Sequence, residues 1–231
     1  MNVLALDTAC DVFSAALAAG GGIWYTEIDT GANQTVPRHS ELIMDCVDSL
    51  FKLSGFERKD LDLAACMRGP GSFTGLRIGF SAAKGISLAL GIPLASVPTL
   101  DCLAYPFSVW DGIVIPAIDA KKGCFFTAFY RKNECPCEHM DASPLIIAQK
   151  LVKIRQNPAE PVMLTGTGSE ALLKNMAAYC NTENFRIDPG FRRGKARELY
   201  EIAKNGKLSL INSLNSGPVY LRKSDAELNW E

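Results

Sequence analysis

The sequence predicts an α/β protein made of two related lobes. Two segments, LALDTACDVFSAAL and IPAIDAKKGCFFTAFY, share one order: an apolar strand that ends in aspartate, a short polar turn and a second strand. After each segment, helical patterns alternate with short apolar strands, which is typical of α/β domains. Because the pattern occurs twice, it indicates duplication. We assign 1–105 to a first lobe and 106–231 to a second, with a C-terminal tail that is a candidate to return to the first lobe.

Three apolar runs separated by short polar turns begin the first lobe. The runs Asn2–Asp7, Phe13–Ala18 and Ile23–Asp29 predict an antiparallel meander. The next segment, HSELIMDCVDSLFKLSG, repeats apolar residues at helical spacing. It predicts a helix over Ser40–Gly55, whose first serine caps the start and whose last glycine ends it.

A glycine-rich loop, RGPGSFTG, follows the short apolar strand Leu63–Met67. Beyond the loop, a helix is predicted over Thr74–Leu90 and a strand over Ile92–Val97. A strand, helix, strand unit of this kind predicts two parallel strands joined by a crossover helix.

The second lobe repeats this order. Its predicted elements are strands Ile113–Asp119 and Cys124–Tyr130, helix Ser143–Arg155, strand Val162–Thr165, helix Glu170–Tyr179 with Ser169 as its cap, strand Phe185–Ile187 and helix Lys195–Asn205.

Composition excludes several classes of protein. The chain has 231 residues, of which 48% are hydrophobic, and its 24 Lys and Arg against 25 Asp and Glu leave a net charge of −1. A near-neutral chain has no positive field with which to hold RNA or DNA by itself. The start lacks a basic leader, and no uncharged apolar window is long enough to span a membrane, so we expect a cytoplasmic protein without membrane contact.

Most of the eight cysteines lie in apolar runs, where a reduced thiol behaves as a small hydrophobic group. Cys135, Cys137 and His139 form the one cluster that offers two thiolates and an imidazole to a metal. A second ligand pair at zinc-finger spacing is missing, so we interpret the cluster as a polar loop tip and predict no metal site.

The glycine loop matches neither common phosphate-binding motif. Leu76 and Arg77 stand where a Walker loop needs Lys and Ser or Thr, and the glycine spacing misses the Rossmann fingerprint by one residue. An anion against the N–H groups from Gly71 to Thr74 stays an alternative. The favoured interpretation is structural: glycines permit the bend, Ser72 or Thr74 caps the helix, and Gly75 and Gly79 allow close packing.

The first two helices carry more apolar surface than a small lobe needs, which favours a partner interface. The alternative is that both helices pack only within their own lobe. The candidate interface residues are Ile43, Val47, Leu50, Leu76, Arg77, Phe80, Ala83 and Lys84.

Several segments of the chain form a recognisable set: LALDTACDVFSAAL, RHSELIMDCVDSLFKLSG, RGPGSFTGLRIGFSAAKGISLALGIPLASVPTLDCLA, AIDAKKGCFFTAFY and the late GPVYLR. In this order they resemble segments of the bacterial TsaB family, also called YeaZ. The resemblance implies the two-lobe fold of the acetate and sugar kinase, heat-shock ATPase and actin class. It also implies a partner that binds TsaD and, together with TsaE, supports synthesis of threonylcarbamoyladenosine in tRNA. Family members pair with themselves and with TsaD through the first two helices.

The resemblance also implies that this chain is not an enzyme. TsaD holds a metal with a His-x-x-x-His pair, but the matching segment here, Ser96–Tyr105, has no histidine. The late Asp-Asn pair of TsaD is replaced by GKARELYEIAKNG, so the glycoprotease label of the wider family finds no metal ligands here. We therefore expect no catalytic residue, ATP or ADP only within the complex, and tRNA contact only through the complex.

A small ATP-dependent phosphotransferase is the alternative function, since aspartates at the two hairpins hold metal-bound phosphates in this class of fold. The candidate nucleotide or phosphate residues are Asp7, Thr8, Gly71, Ser72, Asp119 and Gly166. The Asp7 carboxylate would serve equally well as the cap of a turn in its own loop.

Overall fold

The computed structural model describes residues 1–29, 39–132, 134–205, 209–211 and 217–222. The fold divides into two compact units. The first contains Met1–Cys102 and the described residues between Arg193 and Pro218. The second contains Leu103–Arg192 and the described residues from Val219 onward.

Strands and helices alternate much as the sequence predicts. The strands are β1 (Val3–Asp7), β2 (Val12–Ala19), β3 (Gly22–Asp29), β4 (Leu63–Met67), β5 (Leu94–Val97), β6 (Ile113–Asp119), β7 (Phe125–Thr127), β8 (Met140–Ala142), β9 (Val162–Thr165), β10 (Phe185–Ile187) and β11 (Ser209–Ile211). The α-helices are α1 (His39–Ser54), α2 (Phe73–Leu90), α3 (Thr99–Ala104), α4 (Pro144–Ile154), α5 (Ser169–Met176) and α6 (Ala196–Lys204).

The two sheets repeat one topology. In the first unit, β3, β2 and β1 are antiparallel neighbours, and β4 and β5 continue from β1 as parallel strands. In the second unit, β8, β7 and β6 are antiparallel, and β9 and β10 continue in parallel. This repetition confirms the predicted duplicated α/β fold.

The division into lobes differs from the one drawn from the sequence. Helix α6 and strand β11, which the sequence assigns to the second lobe 106–231, belong to the first unit. The reason is packing: Leu199 and Ile202 of α6 are buried as the helix lies on β1 and β2, and β11 pairs with β5. The last described residues lie in the second unit, where Arg222 donates two hydrogen bonds to the Asp141 carboxylate, of 2.5 and 2.8 Å.

Alternation of side chains along the first sheet produces two different faces. Leu6 and Phe13 point into an apolar core that α1 and α2 cover. On the opposite face, Asp7 and Ser14 accept hydrogen bonds from the backbone at the start of α6. The sheet of the first unit is therefore covered on both faces, which explains why β1 and β2 are buried at every residue.

Some local details differ from the sequence predictions. The return strand predicted over Cys124–Tyr130 is shorter, since regular pairing covers only β7. Ser169 does not cap α5, because its hydroxyl donates to the Gly166 carbonyl at 2.7 Å. Gly55 does end α1, with a φ of +72° that favours glycine. The predicted cap at Ser40 lies outside the described side chains.

Short elements escaped the sequence analysis. Helix α3 has six residues, and β8 and β11 have three each, too few for a periodic pattern. Among the described residues, none of the helices combines the length and apolar character needed to cross a bilayer.

Candidate functional site

The glycine loop packs directly on the turn between β1 and β2. A Cβ atom at Gly71 would overlap the Ala9 carbonyl, and one at Gly75 would overlap the Thr8 carbonyl. One turn later, a Cβ at Gly79 would overlap the Thr8 hydroxyl. Glycine at every fourth position thus gives α2 a side that touches the β1–β2 turn at backbone distance.

Hydrogen bonds hold the glycine loop against the β1–β2 turn. The Ser72 N–H donates to the Ala9 carbonyl at 2.7 Å, and the Thr8 hydroxyl donates to the Gly75 carbonyl at 2.7 Å. The Ser72 hydroxyl caps α2 by accepting from the Gly75 N–H at 3.2 Å. The N–H groups of Ser72 and Gly75 are therefore already engaged, so the geometry supports the structural interpretation of Thr8, Gly71 and Ser72 over a phosphate cradle.

Asp7 is a buried structural carboxylate. It is 3% exposed, and it accepts hydrogen bonds from the Ala9 N–H at 3.0 Å and from the Lys195 N–H at 2.8 Å. The first bond is the turn cap that the sequence offered as an alternative. Burial raises the pKa of Asp7 to about 6, although the two N–H donors and the Lys195 charge act against this rise.

Asp119, the counterpart of Asp7 in the second unit, caps its own turn. It accepts from the Lys121 N–H at 2.7 Å, and its second oxygen lies 3.2 Å from the Lys121 ammonium. Gly166, another candidate for phosphate binding, has a φ of +88°, and a Cβ there would lie 2.6 Å from the Ala117 carbonyl oxygen. Both positions are thus explained by local structure.

Six of the eight predicted interface residues are core residues instead. None of the six is more than 4% exposed; they are Ile43, Val47, Leu50, Leu76, Phe80 and Ala83. The physical reason is the orientation of the helices. The selected residues lie on the sides of α1 and α2 that pack against the sheet. Arg77 is exposed and Lys84 is partly exposed, so these two remain surface residues.

The available surface of α2 lies on an exposed face beside its buried residues. We call it the outer face; it consists of Phe73, Arg77, Ser81, Lys84 and Leu88, which follow one another at helical spacing. Leu88 is 59% exposed, and Phe73 lies under the Arg77 guanidinium, with 3.8 Å from its carbon to the ring centroid. The signal that could have separated this face in the sequence is its mixture of apolar residues with cations.

The predicted cysteine cluster does not assemble a metal site. The Cys135 thiol donates to the Cys137 carbonyl at 2.7 Å, and His139 Nε2 lies 2.9 Å from the Tyr130 hydroxyl. Within the described part of the chain, no three His, Cys, Asp or Glu side chains lie close enough to hold a metal ion.

Sequence comparison finds similarity to two groups of proteins. A family model described as TsaD, tRNA N6-adenosine threonylcarbamoyltransferase, matches residues 33–142. The tRNA threonylcarbamoyladenosine biosynthesis protein TsaB of Haemophilus influenzae is 33% identical over 242 positions, which cover 100% of this chain and 96% of that protein. The Escherichia coli protein of the same name is 32% identical over 175 positions, with coverages of 74% and 73%.

A solved structure agrees with the observed fold. YeaZ from Pseudomonas aeruginosa matches with a TM-score of 0.75 and 23% sequence identity, covering 95% of this chain and 99% of that one. The agreement extends over both units and supports the fold.

Two substitutions in α2 test the contact between this helix and the β1–β2 turn. Gly75→Ala should lower the free energy of unfolding by about 2 kcal/mol or more, because the added methyl group overlaps a backbone oxygen. Gly85 lies in the same helix, and a Cβ there would meet no atom within 4 Å. Gly85→Ala should therefore raise the free energy of unfolding by about 0.5–1 kcal/mol. Urea denaturation measures both values. Equal effects at the two positions would contradict the proposed close contact.

The raised pKa of Asp7 predicts that the free energy of unfolding depends on pH. Its folded-state pKa of about 6 lies above its ordinary value of 3.8, so the folded chain binds more protons than the unfolded chain between these values. The free energy of unfolding should therefore fall as pH rises from about 4 to about 6.5, by up to about 3 kcal/mol. Urea denaturation across this range should show the fall in the native chain and a flatter profile in Asp7→Asn. An equal slope in both chains would show that another group is responsible.

Proposed function

This chain belongs to the TsaB family, and from that premise we propose that it is a non-catalytic subunit for the synthesis of threonylcarbamoyladenosine in tRNA. The relatives that support this proposal are named as biosynthesis proteins, and the transferase is a separate, similar family. The observation that carries the proposal is the outer face of α2, an exposed surface of apolar residues and cations on a rigidly held helix.

The contacts of the first hairpin support a role without catalysis. Both oxygens of Asp7 accept backbone hydrogen bonds, and the Thr8 hydroxyl donates a hydrogen bond to the Gly75 carbonyl. A phosphotransferase would need such groups to face a metal nucleotide. We therefore propose that this chain binds no nucleotide by itself, and that ATP or ADP enters only with the complete complex.

The proposed partner is a TsaD-type transferase, and a TsaE-type ATPase would join through the complex of the two. The transferase family model matches a segment that includes α1 and α2. A transferase of this family should therefore carry counterparts of both helices. Two homologous chains can pair about an approximate twofold axis and bury equivalent faces, as identical subunits do.

The chemistry of the outer face suits such a pairing. Leu88 and Phe73 provide apolar area, and Arg77 stacked on Phe73 provides a planar cation of the kind enriched in interfaces. The same face would allow two copies of this chain to pair when the transferase is absent. We propose that homodimer and transferase complex exclude one another because they use one surface.

A matched pair of charge substitutions tests this interface. Leu88→Asp should weaken binding to a TsaD-type transferase by more than tenfold, because an unpaired charge in a dry interface costs several kcal/mol. Val152→Asp, at a 67% exposed position of α4 in the second unit, serves as the control and should leave binding unchanged. Isothermal titration calorimetry gives the affinities, and nucleoside analysis of modified tRNA gives the activity.

Two results separate the parts of the proposal. Normal binding by Leu88→Asp with an unchanged melting temperature would remove the outer face from the interface. Absence of any binding between the native chain and the transferase would contradict the proposed function itself.

A further inference from the structure

We infer that Cys135 and Cys137 form a reversible dithiol site, which reacts with small-molecule disulfides of the glutathione type and closes into an intramolecular disulfide. The run Cys-Pro-Cys is the only place in the sequence where a single residue separates two cysteines. Neither cysteine is in a disulfide; Cys135 is exposed and Cys137 is partly exposed. A small disulfide in solution can therefore reach this segment of the second unit.

The loop that carries the two cysteines is held at both ends. On one side, Arg131 and Glu134 exchange two backbone hydrogen bonds, each of 2.9 Å. On the other side, His139 Nε2 lies 2.9 Å from the hydroxyl of Tyr130, a buried residue that pairs with β6. Residues 135–138 therefore run between two anchored positions, which limits the arrangements that the two thiols can take.

The geometry of this loop brings the first sulfur towards the second cysteine. The Cys135 thiol donates to the Cys137 carbonyl, with 2.7 Å between sulfur and oxygen. A disulfide requires two Cα atoms no more than about 7 Å apart, and two residues of chain cannot separate them by much more than that. Because the Cys135 side chain already points to residue 137, rotation of side chains is the main movement that closing the disulfide needs.

The reaction would follow ordinary thiol–disulfide exchange. The thiolate of one cysteine attacks a sulfur of the small disulfide, and one small thiol leaves with the electron pair of the broken S–S bond. The thiolate of the other cysteine then attacks the mixed disulfide and expels the second small thiol. The protein loses two electrons and two protons, which are recovered on the two small thiols. Because the second attack is intramolecular, it should be faster than attack by another molecule.

Four of the other cysteines are poorly suited to this reaction. Burial raises the pKa of the Cys66 thiol to about 12 and holds the pKa of Cys102 well above its usual range. Burial also raises the pKa values of Cys46 and Cys180. Since the thiolate is the form that attacks a disulfide, these four positions should react slowly near neutral pH.

Peptide mass mapping of the native chain tests the proposal. The folded chain is incubated with excess oxidised glutathione, the reaction is stopped with acid, and free thiols are alkylated with N-ethylmaleimide before digestion. The peptide that contains Cys135 and Cys137 should have lost two hydrogens and should retain no glutathione. Treatment with reduced glutathione should restore both free thiols, since exposed disulfides are the readily reduced ones.

Two serine variants separate the two steps of the exchange. In Cys137→Ser, the reaction of Cys135 should stop at the mixed disulfide, so the glutathione retained on this peptide should rise at least tenfold over the native chain. Cys180→Ser is the matched control, because Cys180 is also partly exposed and lies in the same unit. Its Cys135–Cys137 disulfide should form as in the native chain.

Several outcomes would overturn the proposal. They are no reaction of either cysteine, glutathione retained on the native peptide without ring closure, a disulfide from Cys135 or Cys137 to any other cysteine, and no rise of retained glutathione in Cys137→Ser. Mapping of the native chain needs no variant, so it decides the proposal even if a serine variant does not fold. The outer face of α2 takes no part in these measurements, so their failure would not bear on the proposed function.

Discussion

The close approach of the glycine loop to the turn between β1 and β2 determines the arrangement of the first unit. Gly71 and Gly75 bring α2 to backbone distance from Thr8 and Ala9, and two short hydrogen bonds hold it there. A helix held at its start by its own backbone has little freedom to rotate about its axis. The inner stripe with Leu76 and Phe80 is therefore buried, and the outer face is left in solvent. The surface proposed to bind a partner is thus a consequence of a glycine repeat.

The end of β1 connects three distant parts of the chain. Asp7 accepts a hydrogen bond from Lys195, 188 residues later, while Thr8 and Ala9 hold the glycine loop. Asp7, Thr8 and Ala9 are thus all engaged in contacts that hold the first unit together. This use of the hairpin is consistent with a subunit that acts by binding, and it explains why a buried carboxylate with a raised pKa need not be catalytic.

Much of the fold was predictable from the sequence because it depends on local patterns. The order of strand, aspartate, turn and strand occurs twice and predicted the duplication. Helical spacing predicted the bounds of α1, α2 and α4 to within a few residues. The buried stripe of α2 was not predictable in this way, since periodicity shows that apolar stripes exist but not which of them meets the sheet. That choice depends on the contact of Gly75 with Thr8, which are far apart in sequence.

The same limit applies to the late part of the chain. The return of α6 to the first sheet depends on Asp7 and Ser14, which accept hydrogen bonds from residues more than 180 positions later in the chain. The position of α6 and the buried side of α2 thus depend on contacts between residues far apart in the sequence.

The most direct test is the exposed fraction of Leu88 in a solved complex of this chain with a TsaD-type transferase. It is 59% in the chain by itself. The account predicts that the transferase covers the outer face of α2 and reduces this fraction to about 10% or less, as in the dry centre of an interface. A complex in which Leu88 and Phe73 remain in solvent, while the transferase contacts another surface, would contradict it.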